Sequence, residues 1–98
     1  MRAILIMFPT YVDATVLDIS MSGAVLLLDE PFNLARGTPC TLRVLTPYGR
    51  QAVELEAAVS SSEEDVRLGL ALDPVPPRAE DALRRLIDDA HAHREPAY

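Results

Sequence analysis

The chain of 98 residues contains no tryptophan, and aromatic side chains account for only 5% of it. With so few large rings, any core must be built mainly from Leu, Val, Ile and Ala. Apolar residues make up 49% of the chain and charged residues 24%, a balance typical of a globular protein. A chain of this length supports one modest hydrophobic core, so we expect residues 1–98 to form a single domain.

Cysteine and long apolar runs are also nearly absent. Cys40 is the only cysteine, which excludes an intramolecular disulfide and is compatible with a reducing compartment. Its neighbours are typical of the start of a strand, so we expect a small, semi-buried side chain rather than a nucleophile. No apolar run approaches the roughly 20 residues of a membrane-spanning helix, and residues 3–8 are too few for a secretory signal. We therefore expect no membrane span and a cytoplasmic protein.

Positive charge is scarce. Lysine is missing, and the nine basic residues are all arginine. The chain has 15 acidic residues, which gives a formal net charge of −6. A nucleic-acid partner requires a basic surface to meet its phosphates. This composition therefore excludes nucleic acid as the expected partner.

Catalytic and metal-binding patterns are missing too. His91 and His93 are two residues apart, a spacing that puts them on different faces of a helix, and no cysteine or carboxylate completes a metal site around them. The run Glu63-Glu64-Asp65 is typical of a solvated loop. No serine stands in a nucleophile-elbow context, and no glycine-rich loop opens a helix. We expect no metal, no cofactor and no enzymatic activity.

What the chain does contain is a series of strand-like segments followed by one helix. The predicted strands cover residues 2–8, 12–19, 24–28, 41–46, 53–59 and 66–72. The fifth alternates cleanly between apolar and polar residues, whereas the third is wholly apolar, which implies contact on both faces or closure into a barrel. We expect Phe32 and Leu34 to pack down from the loop at 32–39, a tight turn at 47–50 and a polar hairpin loop at 60–65.

A proline-rich linker at 73–77 cannot continue a strand ladder, and a helix is predicted from about Arg78 to His91. Its apolar residues recur at spacings of three and four and form one stripe: Ala79, Ala82, Leu83, Leu86, Ile87 and Ala90. Such a stripe is not expected to face water. We expect it to dock on the strands or on a second copy of the chain, which makes a homodimer possible.

The most informative segment lies between the second and third strands and contains Asp18, Ser20 and Gly23 in the order D-x-S-x-x-G. Side chains alternate between faces in an extended chain, so Asp18 and Ser20 should point to the same side. Gly23 would allow the positive φ that a tight corner often needs. Because Asp, Ser and Gly also form ordinary turns for local reasons, a plain hairpin turn explains the same residues.

This order, placed between two strands, resembles the second signature of PilZ domains, small bacterial β-barrels that bind the second messenger cyclic di-GMP. A penultimate strand such as residues 66–72 and a closing amphipathic helix are also similar to the family. The resemblance implies an all-β fold, a six-stranded antiparallel barrel over about 2–73 with one C-terminal α-helix over about 78–91. It further implies a signalling module that is not an enzyme.

The resemblance also implies roles for particular residues. Asp18 and Ser20 would hydrogen-bond a guanine edge of cyclic di-GMP, and Gly23 would let the backbone turn close to the ligand. A carboxylate can accept from guanine N–H groups, and a hydroxyl can donate and accept. Gly69 matches a further family position where a missing side chain leaves room for the base, although a glycine that eases strand curvature explains it equally well.

One family feature is missing, namely two arginines in an R-x-x-x-R segment ahead of the first strand. Arg2 is the only arginine upstream of Asp18, and Arg36, Arg50 and Arg67 are candidate substitutes that the sequence does not bring near Asp18. Guanidinium groups bind phosphates bidentately and stack on bases. We therefore expect weak or absent cyclic di-GMP binding. Either the true start lies upstream of Met1, or the chain is a variant that works as a protein-interaction adaptor.

Overall fold

The computed structural model describes residues 1–45 and 52–92, and within them the chain forms six strands and one helix. All strand pairs are antiparallel, and the sheet closes into a barrel in the order β1-β2-β3-β6-β5-β4. The elements are β1 (Arg2–Met7), β2 (Thr10–Ile19), β3 (Gly23–Leu28), β4 (Pro39–Leu45), β5 (Ala52–Glu63), β6 (Arg67–Leu72) and α1 (Pro77–Ala92). The predicted six-stranded antiparallel barrel with a C-terminal helix is confirmed.

The barrel interior consists of the inward-facing apolar residues of every strand. Leu5, Leu26, Leu42 and Val44 have no exposed surface, and none of the buried residues in the described part of the chain is polar or charged. In the wholly apolar β3, Leu27 is 44% exposed on the outer face. Closure into a barrel, rather than cover on both faces, therefore explains that apolar strand.

The helix packs its apolar stripe against the barrel core. Leu83 and Leu86 are 0% and 2% exposed and belong to the core cluster, with Ile87 partly buried beside them. Ala82, which the periodicity placed in the stripe, is exposed instead. Most of the stability of such a helix comes from packing of its apolar face rather than from helix propensity. Docking on the chain's own barrel therefore explains the apolar stripe.

Several element boundaries differ from the sequence prediction. The strand β5 continues to Glu63, so the predicted polar loop at 60–65 is wrong, and only residues 64–66 form the turn. There Glu64 and Asp65 have positive φ values of 53° and 61°. Phe8 and Pro9, joined by a cis peptide bond, link β1 to β2, and β4 begins at Pro39. The predicted turn at 47–50 lies outside the described residues.

The loop before β4 supplies further cover for the core. Phe32 and Leu34 are partly buried and pack against the core cluster, as predicted. The Phe32 N–H donates to the Asp65 carbonyl at 2.8 Å, which joins this loop to the β5–β6 turn. Farther along, the Gly37 N–H donates to the Val59 carbonyl at 2.7 Å. The loop is therefore held to the β5 side of the barrel at both of its ends.

Candidate functional site

The predicted site residues meet on the outer face of the barrel. Asp18 is in register with Val25, Val25 with Gly69, and Gly69 with Ser61, so one row crosses β2, β3, β6 and β5. The strand neighbours of these residues, such as Ile19 and Leu70, point into the core. All four residues singled out from the sequence line a single open pocket of about 290 Å³ along this row: Asp18, Ser20, Gly23 and Gly69.

A β-bulge turns Asp18 toward the pocket. Val16 pairs with Leu26 and Asp18 with Val25, which leaves Leu17 as the extra residue of β2. Bulges commonly re-aim a side chain next to a functional site. Here the bulge places both Leu17 and Asp18 outward, while Val16 stays buried. The Asp18 Oδ1 atom accepts a hydrogen bond from the next backbone N–H at 3.0 Å, which helps to fix the carboxylate.

Ser20 holds the turn between β2 and β3. Its Oγ accepts from the N–H groups of Gly23 at 3.2 Å and Ser22 at 3.4 Å, and its hydroxyl donates to the Gly23 carbonyl at 3.3 Å. The Ser20 N–H also donates to that carbonyl, at 2.8 Å. The side chain lies beside Asp18 in the pocket wall, but the local turn already uses its hydrogen-bonding groups. The ordinary chemistry of a turn therefore accounts for this serine.

Gly23 is required for a reason other than the predicted one. Its φ is not positive, so the expected left-handed corner is wrong. A Cβ at this position would lie 2.9 Å from the Leu70 carbonyl oxygen of β6, closer than real contacts allow. The Ser22 carbonyl also accepts from the Leu72 N–H at 2.9 Å. Gly23 thus permits close approach of the corner to β6 rather than an unusual backbone conformation.

Gly69 clears space for two serines on the opposite strand. A second bulge lies in β5, where Val59 pairs with Leu70 and Ser61 with Gly69, so that Ser60 is the extra residue. A Cβ on Gly69 would collide with the Ser61 hydroxyl and come within 3.0 Å of the Ser60 hydroxyl. Both hydroxyls therefore converge over Gly69. The two hydroxyls occupy the space that the missing side chain leaves, and they form a polar part of the pocket wall.

None of the arginines in the described ranges lines this pocket. Arg2 is committed elsewhere, since its Nη2 lies 2.6 Å from Asp29 Oδ2 and its Nη1 donates to Thr15. The hydrogen bond between Arg2 and the Asp29 carboxylate lowers the pKa of Asp29. Arg67 lies on β6 two residues from Gly69 and so on the same outer face, but it does not line the pocket. Arg36 belongs to the loop beside β5, and Arg50 lies outside the described residues.

The electrostatics of the pocket follow from its lining. Of the described residues that line it, Asp18 is the only charged one, and the others are apolar, glycine or serine. No group of three metal-binding side chains occurs within residues 1–45 and 52–92. Cys40 lies elsewhere, in the core, where burial and then the charges of Glu56 and Asp73 raise its pKa to about 11. Its thiol is therefore protonated at neutral pH, as befits a packing residue.

Two lining residues, Ser60 and Ser61, are missing from the sequence prediction. The polar run at 60–65 is typical of a loop, which placed both serines in a turn instead of at the pocket. A signal in the spacing of apolar residues exists only for the other bulge, in β2. The inward residues of β2 run at steps of two and then three, from Val16 to Ile19, which is the mark of a bulge. The bulge in β5 lacks this signal because serines follow Val59.

The PilZ domain family model matches residues 5–89, far more than half of the chain. That range contains the whole pocket row, the end of β1, all of the strands β2 to β6 and most of the helix. Comparison with curated proteins and with solved structures returned no match. No helix in the described ranges is both long and apolar enough to traverse a bilayer.

Proposed function

This chain belongs to the PilZ domain family, and on that premise we propose that it is a non-enzymatic signalling module of the bacterial cyclic di-GMP pathway. Its outer-face pocket receives a guanine of the messenger, and Asp18 holds the donor edge of that base. Ser20, Gly23 and Gly69 shape the site around it. The protein works in the cytoplasm, where this messenger is made and read.

The observation that carries the proposal is the position of Asp18 at one end of the row across four strands. A carboxylate accepts two hydrogen bonds, and guanine offers N1–H and an exocyclic amine side by side on one edge. Val25 and Gly69 continue the row across β3 and β6, and the apolar side chain of Val25 lines the pocket where a base can pack against it. Because Asp18 is the only charged residue in the described lining, that lining offers no positive charge to bind the phosphates of the ligand. We expect weak binding by the chain as it stands.

The start of β1 lies close to this site. The Met1 carbonyl accepts a hydrogen bond from the Val16 N–H at 2.7 Å, two residues before Asp18 on the neighbouring strand. A segment attached ahead of Met1 would therefore begin at the Asp18 side of the pocket. Two arginines in that segment could reach phosphates of a ligand whose base contacts Asp18.

This arrangement gives a direct test. Calorimetry with cyclic di-GMP is run on the chain itself and on a chain extended ahead of Met1 by a flexible segment that carries two arginines four positions apart. Two charge-assisted contacts are worth roughly 3–6 kcal/mol in total, so affinity should rise about a hundred- to ten-thousandfold. Asp18→Ala in the extended chain should abolish most of the gain. The matched control is the same extension with glutamine in place of both arginines.

Two results would count against the proposal. If the extended chain is folded by circular dichroism yet gives no heat with cyclic di-GMP, the Asp18 corner is only a turn. If the unextended chain binds with sub-micromolar affinity, the expectation of weak binding is wrong and another group supplies the phosphate contact. In that second case, Arg67→Gln and Arg36→Gln identify the arginine that does so.

A second candidate function is an adaptor that binds a protein, or a second copy of the chain, through the same face. Large apolar side chains flank the pocket there, with Leu17 40%, Met21 39% and Leu27 44% exposed. Exposed apolar groups clustered near one site favour a docking surface. Sedimentation of the wild type against Leu17→Ser tests the homodimer. An unchanged monomer in both rejects the homodimer, and ligand binding in the extended chain favours the receptor over the adaptor.

A further inference from the structure

We propose that Ser60 and Ser61, presented by the β5 bulge, form a second polar wall of the pocket and hydrogen-bond the far edge of the base that Asp18 holds. This inference rests on the proposed function and extends it to residues outside the D-x-S-x-x-G segment. It assigns the two serines a part in choosing the ligand. They are not catalytic residues, and they act by direct contact.

The two hydroxyls differ from that of Ser20 in how they are used. The Ser20 hydroxyl is engaged three times within its own turn. By contrast, neither Ser60 nor Ser61 forms a side-chain hydrogen bond with any residue in the described ranges, and both line the pocket. Both hydroxyls also point toward the same place, over Gly69. Hydroxyl groups that lie together on a pocket wall without a partner among the described residues are suited to a ligand rather than to the fold.

The spacing of the row fits a single flat heterocycle. Asp18 and Ser61 are separated by three inter-strand gaps, roughly 14 Å between Cα atoms at about 4.8 Å per gap. Side chains stand roughly perpendicular to the sheet, and the Ser61 hydroxyl leans over Gly69, so the carboxylate and this hydroxyl are about two gaps, roughly 10 Å, apart. A hydrogen bond of about 2.8 Å at each end leaves roughly 4 Å between them for a base. Val25 and Gly69 lie beneath it as the floor. A base can therefore contact the carboxylate at one edge and the hydroxyls at the other.

The chemistry of the two walls selects guanine. Asp18 requires donors, which guanine supplies at N1–H and its amine. A serine hydroxyl can donate to the O6 and N7 acceptors that guanine carries along its other side. Adenine has an amine but no ring N–H for the carboxylate, and its N6 amine replaces the O6 acceptor. The geometry thus accounts for a preference for a purine with donors on one edge and acceptors on the other.

The test is an NMR titration of the ¹⁵N-labelled chain with GMP, because fast exchange reports weak binding. Loss of one neutral hydrogen bond corresponds to about a two- to twelvefold loss of affinity. We expect that loss for Ser61→Ala and a larger one for the Ser60→Ala/Ser61→Ala double variant. Ser62→Ala is the matched control, since it is the next serine of β5 and does not line the pocket. Titration with 7-deaza-GMP, which lacks N7, should narrow the difference between wild type and double variant.

The outcomes separate this inference from the proposed function. If Asp18→Ala weakens GMP binding while the double serine variant binds as tightly as wild type, this inference is overturned and the proposed function stands. If Ser62→Ala weakens binding as much as Ser61→Ala, the effect is general to the strand and this inference is again overturned. If wild type gives no saturable shift with GMP, no base occupies the pocket of this chain and this inference is overturned, while the extended chain still decides the proposed function.

Discussion

The strand pairs of the barrel are of two kinds. The β1–β2, β1–β4, β3–β6 and β4–β5 pairs keep a continuous register, whereas β2–β3 and β5–β6 each contain a bulge. The two bulges stand on opposite sides of the pocket, with the regular β3–β6 pair as its floor. Bulges cost ladder hydrogen bonds and increase local twist. Their position indicates that irregularity in this barrel is concentrated where side chains must be aimed outward.

The outward polar groups of the two sides are used differently. On the regular β4–β5 pair, Arg43 donates to Glu54 at 3.0 and 2.6 Å, and Thr41 donates to Glu56 at 3.1 Å. Directly opposite partners of this kind stabilise a sheet. On the bulged β5–β6 pair, the serine hydroxyls have no such partner among the described residues. The regular β4–β5 pair satisfies these polar groups internally, whereas the β5 bulge leaves the hydroxyls of Ser60 and Ser61 available to a ligand.

Among the variants that test this contrast, we expect the largest effect from Gly23→Ala. The added methyl would meet the Leu70 carbonyl oxygen, which is backbone and cannot rotate away. We expect the free energy of unfolding to fall by about 1–3 kcal/mol, as for other overpacked positions, measured by urea denaturation. The control is Gly69→Ala, whose methyl meets flexible serine side chains and should cost less. Equal losses would mean that the corner is not held tightly against β6.

The next test concerns pH and the regular β4 strand. Cys40 has a folded-state pKa of about 11 against an ordinary value of 9.0, raised first by burial. Because the folded state holds the proton more tightly, this contribution to stability is fully present below pH 9. It is lost as pH rises from about 9 to 11, when the unfolded thiol ionises first. A difference of two pKa units corresponds to roughly 2–3 kcal/mol, and because partial screening by solvent reduces it, we expect a loss on the order of 1–2 kcal/mol by pH 11.

Cys40→Ala provides the control for the pH test, since tyrosines ionise in the same range in both proteins. The difference in unfolding free energy between wild type and variant should narrow as pH rises above 9. A constant difference would show that the thiol is not held in an apolar environment. It would then weaken the description of β4 as a regular, fully packed strand.

Much of the architecture is predictable from local pattern. The alternation along β5, the apolar β3 and the stripe with Leu83 and Leu86 identify the strands, the barrel and the helix, because each depends on residues close in sequence. The corner at Asp18 is likewise visible in one short segment. These features are decided by burial of neighbouring apolar side chains, so the sequence carries them directly.

What sequence reasoning missed depends on pairing between distant strands. Ser60 and Ser61 face the pocket only because β5 is bulged against β6, and Gly23 is needed only because β6 passes close to it. Register across strands is a non-local property that polar residues specify weakly. A serine run has the composition of a loop whether it turns or continues as a strand. The sequence therefore predicts the Asp18 side of the site but not the opposite wall, which Ser60 and Ser61 form.

The turn that joins the bulged strands offers a smaller test. Glu64 and Asp65 both have positive φ, a region that side chains with a Cβ adopt at a cost. Asn-Gly is the pair that such turns favour. We expect Glu64→Asn/Asp65→Gly to raise the free energy of unfolding by about 0.5–1 kcal/mol, after the entropy cost of glycine in the unfolded chain. Glu63→Asn, at the paired end of β5, should give no gain.

A melting temperature unchanged by the double replacement would mean that this turn stores no strain. The two bulged pairs would then differ from the regular ones in register alone. An increase would add backbone strain to the features that gather on the pocket side. Binding of GMP is measured on the same variant. Because the turn is separate from the pocket lining, the affinity of the variant for GMP should equal that of wild type.

The smallest effect is expected on the regular side, from the ion pair of Arg43 and Glu54. Its nitrogen and oxygen lie 2.6 Å apart, but the side chains are 41% and 53% exposed, so water screens the attraction. Exposed pairs contribute about 0–1 kcal/mol, and we expect Glu54→Gln to cost at most about 0.5 kcal/mol and less in high salt. The matched variant is Glu63→Gln, because Glu63 is in register with Arg67 on the bulged pair yet forms no ion pair with any described residue. It should cost nothing measurable. If it costs as much as Glu54→Gln, cross-strand charge pairing does not distinguish the two sides, and the contrast between them reduces to the bulges and the serines they expose.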